Sequence, residues 1–179
     1  MFRFVPDDER TLWQIDYCSQ AITDLNKRDI VPFVEPLRMD FVDGKLVSKN
    51  TTDELVKLVG VIAGMGDSSR YTWMKLPYCE DFRRVTMATT MPILMLGGPS
   101  KEDPRPTYRN FAAGMAARSN VRGALVGRNI SFPGPEDPAA VAQAISEIVH
   151  QGISPDEAIE RTMAHRDEKN DFLTKYVKA

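Results

Sequence analysis

Five short apolar runs punctuate the chain: Phe2–Val5, Ile30–Leu37, Tyr71–Leu76, Pro92–Leu96 and Gly123–Val126. They are bounded by Pro, Gly or Asn, and most lack polar alternation, as strands do when a parallel sheet is covered on both faces. The stretches between them carry a helical period. After Asp7, residues Ile15, Cys18, Ile22 and Leu25 recur on one helical face. Thr51 and Glu54 form a capping box before LVKLVGVIAGM, and Gly64 and Gly66 weaken that helix near its end. Asp137 and Pro138 open AAVAQAISEIVH, with Val141, Ile145, Ile148 and Val149 on one face and Gly152 just beyond. Ser154, Pro155 and Glu157 repeat this start for a final helix whose distal part, AHRDEKNDFLTKYVKA, is mostly polar. Shorter helices are expected over Asp81–Ala88 and around Tyr108–Ala117.

Strands and helices therefore alternate five times, which predicts an α/β fold with a parallel sheet and right-handed crossovers. Two architectures fit: an open doubly wound sheet, or a segment of a (β/α)₈ barrel of the TIM type. A dinucleotide-binding sheet wants a glycine fingerprint after its first strand, and VPDDER stands there instead.

Composition narrows the class of partner. The 179 residues are 42 % hydrophobic and 27 % charged, and 23 Lys and Arg against 25 Asp and Glu leave a net charge of −2. No clustered basic excess points to nucleic acid or an acidic membrane. No apolar run approaches the roughly 20 residues of a membrane span, and MFRFVPDDER lacks the apolar core of a signal peptide. Cys18 and Cys79 have no metal-ligand spacing, and His150 and His165 are too few for a zinc site with them. Reduced, mostly buried thiols and a cytoplasmic location are the expectation, with no metal and no cofactor. Both histidines fit cap or surface roles.

Three places could carry chemistry. In Tyr71–Leu76 alternate residues share a face, so Tyr71, Trp73 and Lys75 point one way and Thr72, Met74 and Leu76 the other. A lysine among Trp, Met, Leu and Pro is expected to be buried, and burial favours the neutral, nucleophilic amine that forms imines with carbonyls. Local pattern leaves a structural alternative open: a strand-end lysine reaching solvent or paired with a carboxylate. Glu35, in VPFVEPL, lies near the C-terminal end of the second run, where parallel barrels build their active-site rim. It is a candidate acid or base, or a partner for Lys75; a salt bridge to Arg3 or Arg38 is the structural alternative. Tyr78 could place a phenol at the same carbonyl or serve only as loop packing. The third place is phosphate-like: LMLGG ends the fourth run with Gly97 and Gly98, and ALVGRN ends the fifth with Gly127 and Arg128. Glycines at two consecutive strand ends expose backbone N–H groups to an anion, and the arginine adds a charged donor.

FVEPL, MKLPY, ATTMPILMLGG and VRGALVGRNISFP, in that order, resemble the class I aldolase superfamily of DhnA-type fructose-bisphosphate aldolases and deoxyribose-phosphate aldolase. The resemblance runs from Phe2 to about His150. It implies a Schiff base at Lys75, on the sixth strand of a (β/α)₈ barrel. It further implies substrate phosphate held by Gly97, Gly98, Gly127 and Arg128, and a substrate-facing Glu35 on the fifth strand. Phe2–Val5 is then the fourth strand, and the family's first three β/α units, with their acidic residue near the first strand, have no counterpart. Residues 1–179 are thus expected to form one partial barrel domain with a helical extension from about residue 154. Exposed strand edges invite association, so a homo-oligomer is expected. The substrate implied is a phosphorylated sugar or keto acid; the alternative is a non-catalytic partial barrel that binds a phosphosugar or another copy of itself, or a truncated fragment of a longer aldolase.

Overall fold

A computed structural model describes residues 1–166. The distal, polar part of the last predicted helix, past Arg166, lies outside the described residues. The chain divides into two compact units: Met1–Gly97 with Ala113–Val126, and Gly98–Ala112 with the residues from Gly127 onward.

The first unit holds the sheet strands. In chain order these are β1 (Phe2–Phe4), β2 (Phe33–Val34), β3 (Pro36–Val42), β4 (Lys45–Ser48), β5 (Trp73–Leu76), β6 (Ile93–Leu96) and β7 (Val121–Leu125). β1 pairs parallel with β3, while β2, β5, β6 and β7 pair parallel in that order. The expected second strand, Ile30–Leu37, is thus one line of chain in two pieces. Val34 pairs with Met74 on one side and Pro36 with Phe2 on the other. Glu35 sits at the hand-over, its carbonyl accepting from Phe2 N–H at 2.8 Å. Pro36 has no N–H to give a ladder, which suits the point where pairing changes sides.

β3 then runs on past the expected end and turns back as an antiparallel hairpin with β4. Asp43 and Gly44 make the turn with φ of 49° and 75°, the two positive values that a type I′ hairpin requires. The sequence reading placed no strand here.

Of the helices in this unit, α1 (Glu9–Asn26) packs on β1, and α2 (Thr52–Ala63) packs on β3 and on α3 (Phe82–Met87). The start signal read at Asp7 falls on Asp8, whose carboxylate accepts from Arg10 N–H; Asp7 itself is left-handed at φ 56°. Thr51 caps α2 through Glu54 N–H, but the Glu54 carboxylate goes to Arg38 and Lys57. Leu55, Leu58, Val59 and Ile62 form the buried stripe of α2. The expected inner face of α1 holds: Ile22 is buried, and Ile15, Cys18 and Leu25 are half-buried. Its opposite face leaves Leu12, Trp13 and Tyr17 exposed at 67 %, 68 % and 72 %.

The sheet's two faces differ in the same way. Val34, Met74, Leu76, Ile93 and Met95 are buried. The alternate positions, Phe33, Trp73, Lys75, Leu94, Leu96 and Leu125, share the other face through the register pairs Phe33–Trp73, Lys75–Leu94 and Leu96–Leu125. That face is half-open, with Phe33 at 51 % and Leu125 at 46 % exposure.

α4 (Arg105–Ala117) begins in the second unit, which also holds α5 (Arg128–Ser131), α6 (Pro138–Gln151) and α7 (Pro155–Ala164). Asp137 and Ser154 cap α6 and α7 as read from sequence, and Gly152 ends α6 at φ 69°. Tyr108 is fully buried, its phenol pushed up to about 12 by burial, and its hydroxyl meets Thr162 Oγ1 at 2.8 Å. Arg161 clasps Glu147 across α6 and α7 at 2.6 Å. The Gln143 hydrogen bond first, and then Arg161, hold the Glu147 carboxyl below its ordinary range. No helix among the described residues is long and apolar enough to cross a membrane.

Candidate functional site

Alternation along β5 aims Lys75 at the half-open face, two residues past Trp73. Alternation along the neighbouring line of chain aims Glu35 the same way, two residues past Phe33. The two side chains meet, with Lys75 Nζ 3.3 Å from Glu35 Oε2. The rings one step upstream also touch, with Phe33 and Trp73 centroids 5.6 Å apart. An ion pair thus stands on an aromatic shelf, all of it within the first unit.

The apolar neighbours of Lys75 along the chain predict a buried amine, and the structure corrects this. The side chain is 28 % exposed and that of Glu35 is 21 % exposed; the apolar neighbours Met74 and Leu76 are the buried ones. Desolvation by its own strand is therefore not what singles Lys75 out; the carboxylate within reach is. The alternative partners for Glu35 are also resolved. Arg38 is committed to Asp40 at 2.7 Å and Glu54 at 3.1 Å, and Arg3 lies exposed at the chain's start. Tyr78 lays its ring against Phe82, centroids 5.5 Å apart, as loop packing would have it.

Gly97 closes β6 in the first unit, whereas Gly98, Gly127 and Arg128 belong to the second. Gly98 is left-handed at φ 71°. Gly127 precedes the single turn of α5, and Arg128, the first residue of that turn, is exposed. Asn129, which nothing in the pattern of ALVGRN singles out, is 4 % exposed. Its Oδ1 accepts from Thr107 Oγ1 at 3.2 Å, and its Nδ2 lies 3.4 Å from the Gly98 carbonyl.

Elsewhere, Cys79 is buried with Sγ 3.5 Å from Thr52 Oγ1, and burial pushes its thiol up, as it does the half-buried Cys18. His150 and His165 are exposed at helix ends. Among the described residues no three His, Cys, Asp or Glu side chains gather as metal ligands.

Parallel strands alternating with helices, with a lysine–glutamate pair on one sheet face, make an α/β fold, and solved structures place it in the TIM-barrel class. The chain belongs to the Cgl0159-like family, whose model matches residues 1–148. It is 33 % identical to the Cgl0159 protein of Corynebacterium glutamicum, whose crystal structure superposes with a TM-score of 0.80 over 85 % of this chain and 50 % of that one. An uncharacterized aldolase of Saccharolobus solfataricus is 30 % identical over 135 residues, 72 % of this chain and 45 % of the relative. The fold also matches a Schiff-base-forming fructose-1,6-bisphosphate aldolase at 22 % identity and a TM-score of 0.65, covering 83 % of this chain and 56 % of that one. An archaeal fructose 1,6-bisphosphate aldolase matches at 21 % identity and a TM-score of 0.67, with 84 % and 57 % covered. The chain spans about half the length of each of these relatives.

Proposed function

We propose that this chain carries the chemistry of a class I aldolase, forming or cleaving a C–C bond of a phosphorylated sugar or keto acid through a Schiff base on Lys75. The observation that carries this reading is the Lys75–Glu35 contact at 3.3 Å on the half-open sheet face. Nζ must shed a proton before it can attack a carbonyl carbon, and Glu35 is the base within reach. The resulting carbinolamine loses water, its oxygen taking a proton from Glu35, to leave an iminium. When the C–C bond breaks, its electron pair flows into the iminium and gives an enamine, while the other fragment leaves as an aldehyde after its hydroxyl gives up a proton. Protonation of the enamine and hydrolysis then return the amine. Gly97, Gly98, Gly127 and Arg128 are assigned to the substrate phosphate, with the glycine N–H groups and the guanidinium as donors. In this reading the parallel order β1, β2–β3, β5, β6, β7 corresponds to barrel strands four to eight.

Incubating the full chain with dihydroxyacetone phosphate and borohydride tests it. The expected result is one reduced adduct, found by peptide mass spectrometry on the peptide holding Lys75. A folded sample with no adduct there would falsify the reading.

A second reading has its own support: the half-open face (Phe33, Leu125) and the bare side of α1 (Leu12, Trp13, Tyr17) are two exposed apolar surfaces of the kind that a second copy would cover. Self-association is the expected consequence. Sedimentation should give a mass that rises above the monomer with concentration, and Trp13→Glu should shift the chain back toward monomer. A strictly monomeric wild type across the micromolar range rules this association out. If association occurs without any adduct at Lys75, the chain is a non-catalytic module.

A further inference from the structure

The second unit contains two loops that the proposed function treats as separate phosphate ligands, yet the structure ties them into one piece. The loop leaving Gly98 and the loop leaving Gly127 are joined at three places. Asn129 links the Gly98 carbonyl, at 3.4 Å, to the Thr107 hydroxyl, at 3.2 Å. The Ser100 hydroxyl donates to the Phe132 carbonyl and also accepts from Glu102 N–H at 3.0 Å. Gly134 lies so close beneath Glu102 that a Cβ there would sit 2.0 Å from the Glu102 carbonyl oxygen. These contacts lie within the unit, and Asn129 and Thr107 are both buried.

Gly98 is the residue that most needs such a tie. Glycine explores positive and negative φ about equally, so a glycine N–H aimed at an anion loses more freedom on binding than any other. Here Gly98 is held at φ 71°. The ring of Pro99 fixes the residue that follows, and the Asn129 amide fixes the carbonyl between them. A donor held in place before the ligand arrives forfeits less entropy when it binds.

From this we infer that Asn129 is a positioning residue for phosphate: it locks the Gly98 loop to the Gly127–Arg128 loop, so that both present their donors as one preformed site. The inference rests on the phosphate reading of Gly98, Gly127 and Arg128 and adds the residue that organises them. Asn129 itself has no charge to offer an anion and is buried, so its effect is exerted through Gly98.

The test uses inorganic phosphate as the probe on the full chain, read by titration calorimetry, beside hydrogen exchange of the two loops. Asn129→Ala should weaken phosphate binding about tenfold or more, a loss of about 1.4 kcal/mol per factor of ten. It should also speed exchange in both loops together. Because Asn129 is buried, Ser100→Ala is the second variant; it breaks another of the three ties from a less buried position and should weaken binding by about threefold. Borohydride trapping of unphosphorylated dihydroxyacetone at Lys75 should be unchanged in both, a result that general unfolding would not give. Binding that Arg128→Ala abolishes while Asn129→Ala and Ser100→Ala leave it intact overturns this inference alone. A wild type that binds no phosphate overturns the phosphate reading and this inference with it.

Discussion

Replacing Lys75 with alanine should abolish both the borohydride adduct and any retro-aldol turnover, a loss of at least about 1,000-fold, or roughly 4 kcal/mol of transition-state stabilisation. Among the described residues, Lys75 is the amine that meets Glu35 on the half-open face. Lys75→Arg should be equally inactive, since a guanidinium keeps its proton at any working pH and cannot become the nucleophile. Glu35→Gln preserves shape and hydrogen bonding but removes the base. It should slow adduct formation by about 100-fold or more, within the usual range for losing one general acid–base group. Adduct mass over time and a coupled assay of aldehyde release measure these losses. Circular dichroism should show the same fold throughout, because a side chain already 28 % exposed leaves no sealed cavity when it is cut back. An adduct that persists in Lys75→Ala would move the chemistry elsewhere. Phosphate binding that is the same in Lys75→Ala and wild type, with neither forming an adduct, would favour the non-catalytic module.

What the sequence disclosed, and what it withheld, follows from the range of each interaction. Helix starts at Thr51, Asp137 and Ser154 were legible because a cap joins a side chain to an N–H only three residues on. The two faces of Tyr71–Leu76 were legible because alternation is a property of one strand. The burial of Lys75 was not, because exposure depends on what covers a face and not on what flanks a residue along the chain. Nor was the meeting of Lys75 with Glu35, 40 positions apart, since it depends on the register of two strands. The hairpin of β3 and β4 is a different kind of miss. Asp43-Gly44 between apolar pairs is a strong local hairpin signal, but Phe41, Val42, Leu46 and Val47 are all exposed at 38 % or more. A hairpin that buries neither face shows no alternation, and the charged residues around it read as loop.

Among the described residues, Lys75 and Glu35 stand partly open to water on a half-open sheet face, and the chain spans about half of each relative it matches. Removing water from that face would strengthen every charge interaction on it. Covering the face, by whatever polypeptide, is therefore expected to raise the rate of adduct formation without altering which residue forms it.

Two glycines, Gly44 in the first unit and Gly134 in the second, separate backbone strain from close approach. Gly44 and Gly134 have nearly the same conformation, φ 75° and 77°. A Cβ on Gly44 would meet nothing within 4 Å, whereas one on Gly134 would lie 2.0 Å from the Glu102 oxygen and 2.8 Å from its carbonyl carbon. Gly44→Ala should therefore cost only the left-handed penalty, about 1 kcal/mol. Gly134→Ala carries that penalty plus an overlap with backbone, which cannot swing aside as a flexible side chain would. Glu102 has little room to yield, being itself left-handed at φ 56° and tied through its N–H to Ser100. Overpacking of this kind costs about 1–3 kcal/mol, so the total for Gly134→Ala should be about 3 kcal/mol. Urea unfolding followed by circular dichroism should show a midpoint lowered far more by Gly134→Ala than by Gly44→Ala. Hydrogen exchange should place the added loss in residues 98–104 and 127–136. Equal midpoints for the two variants would mean that the contact between the loops is not a constraint on either.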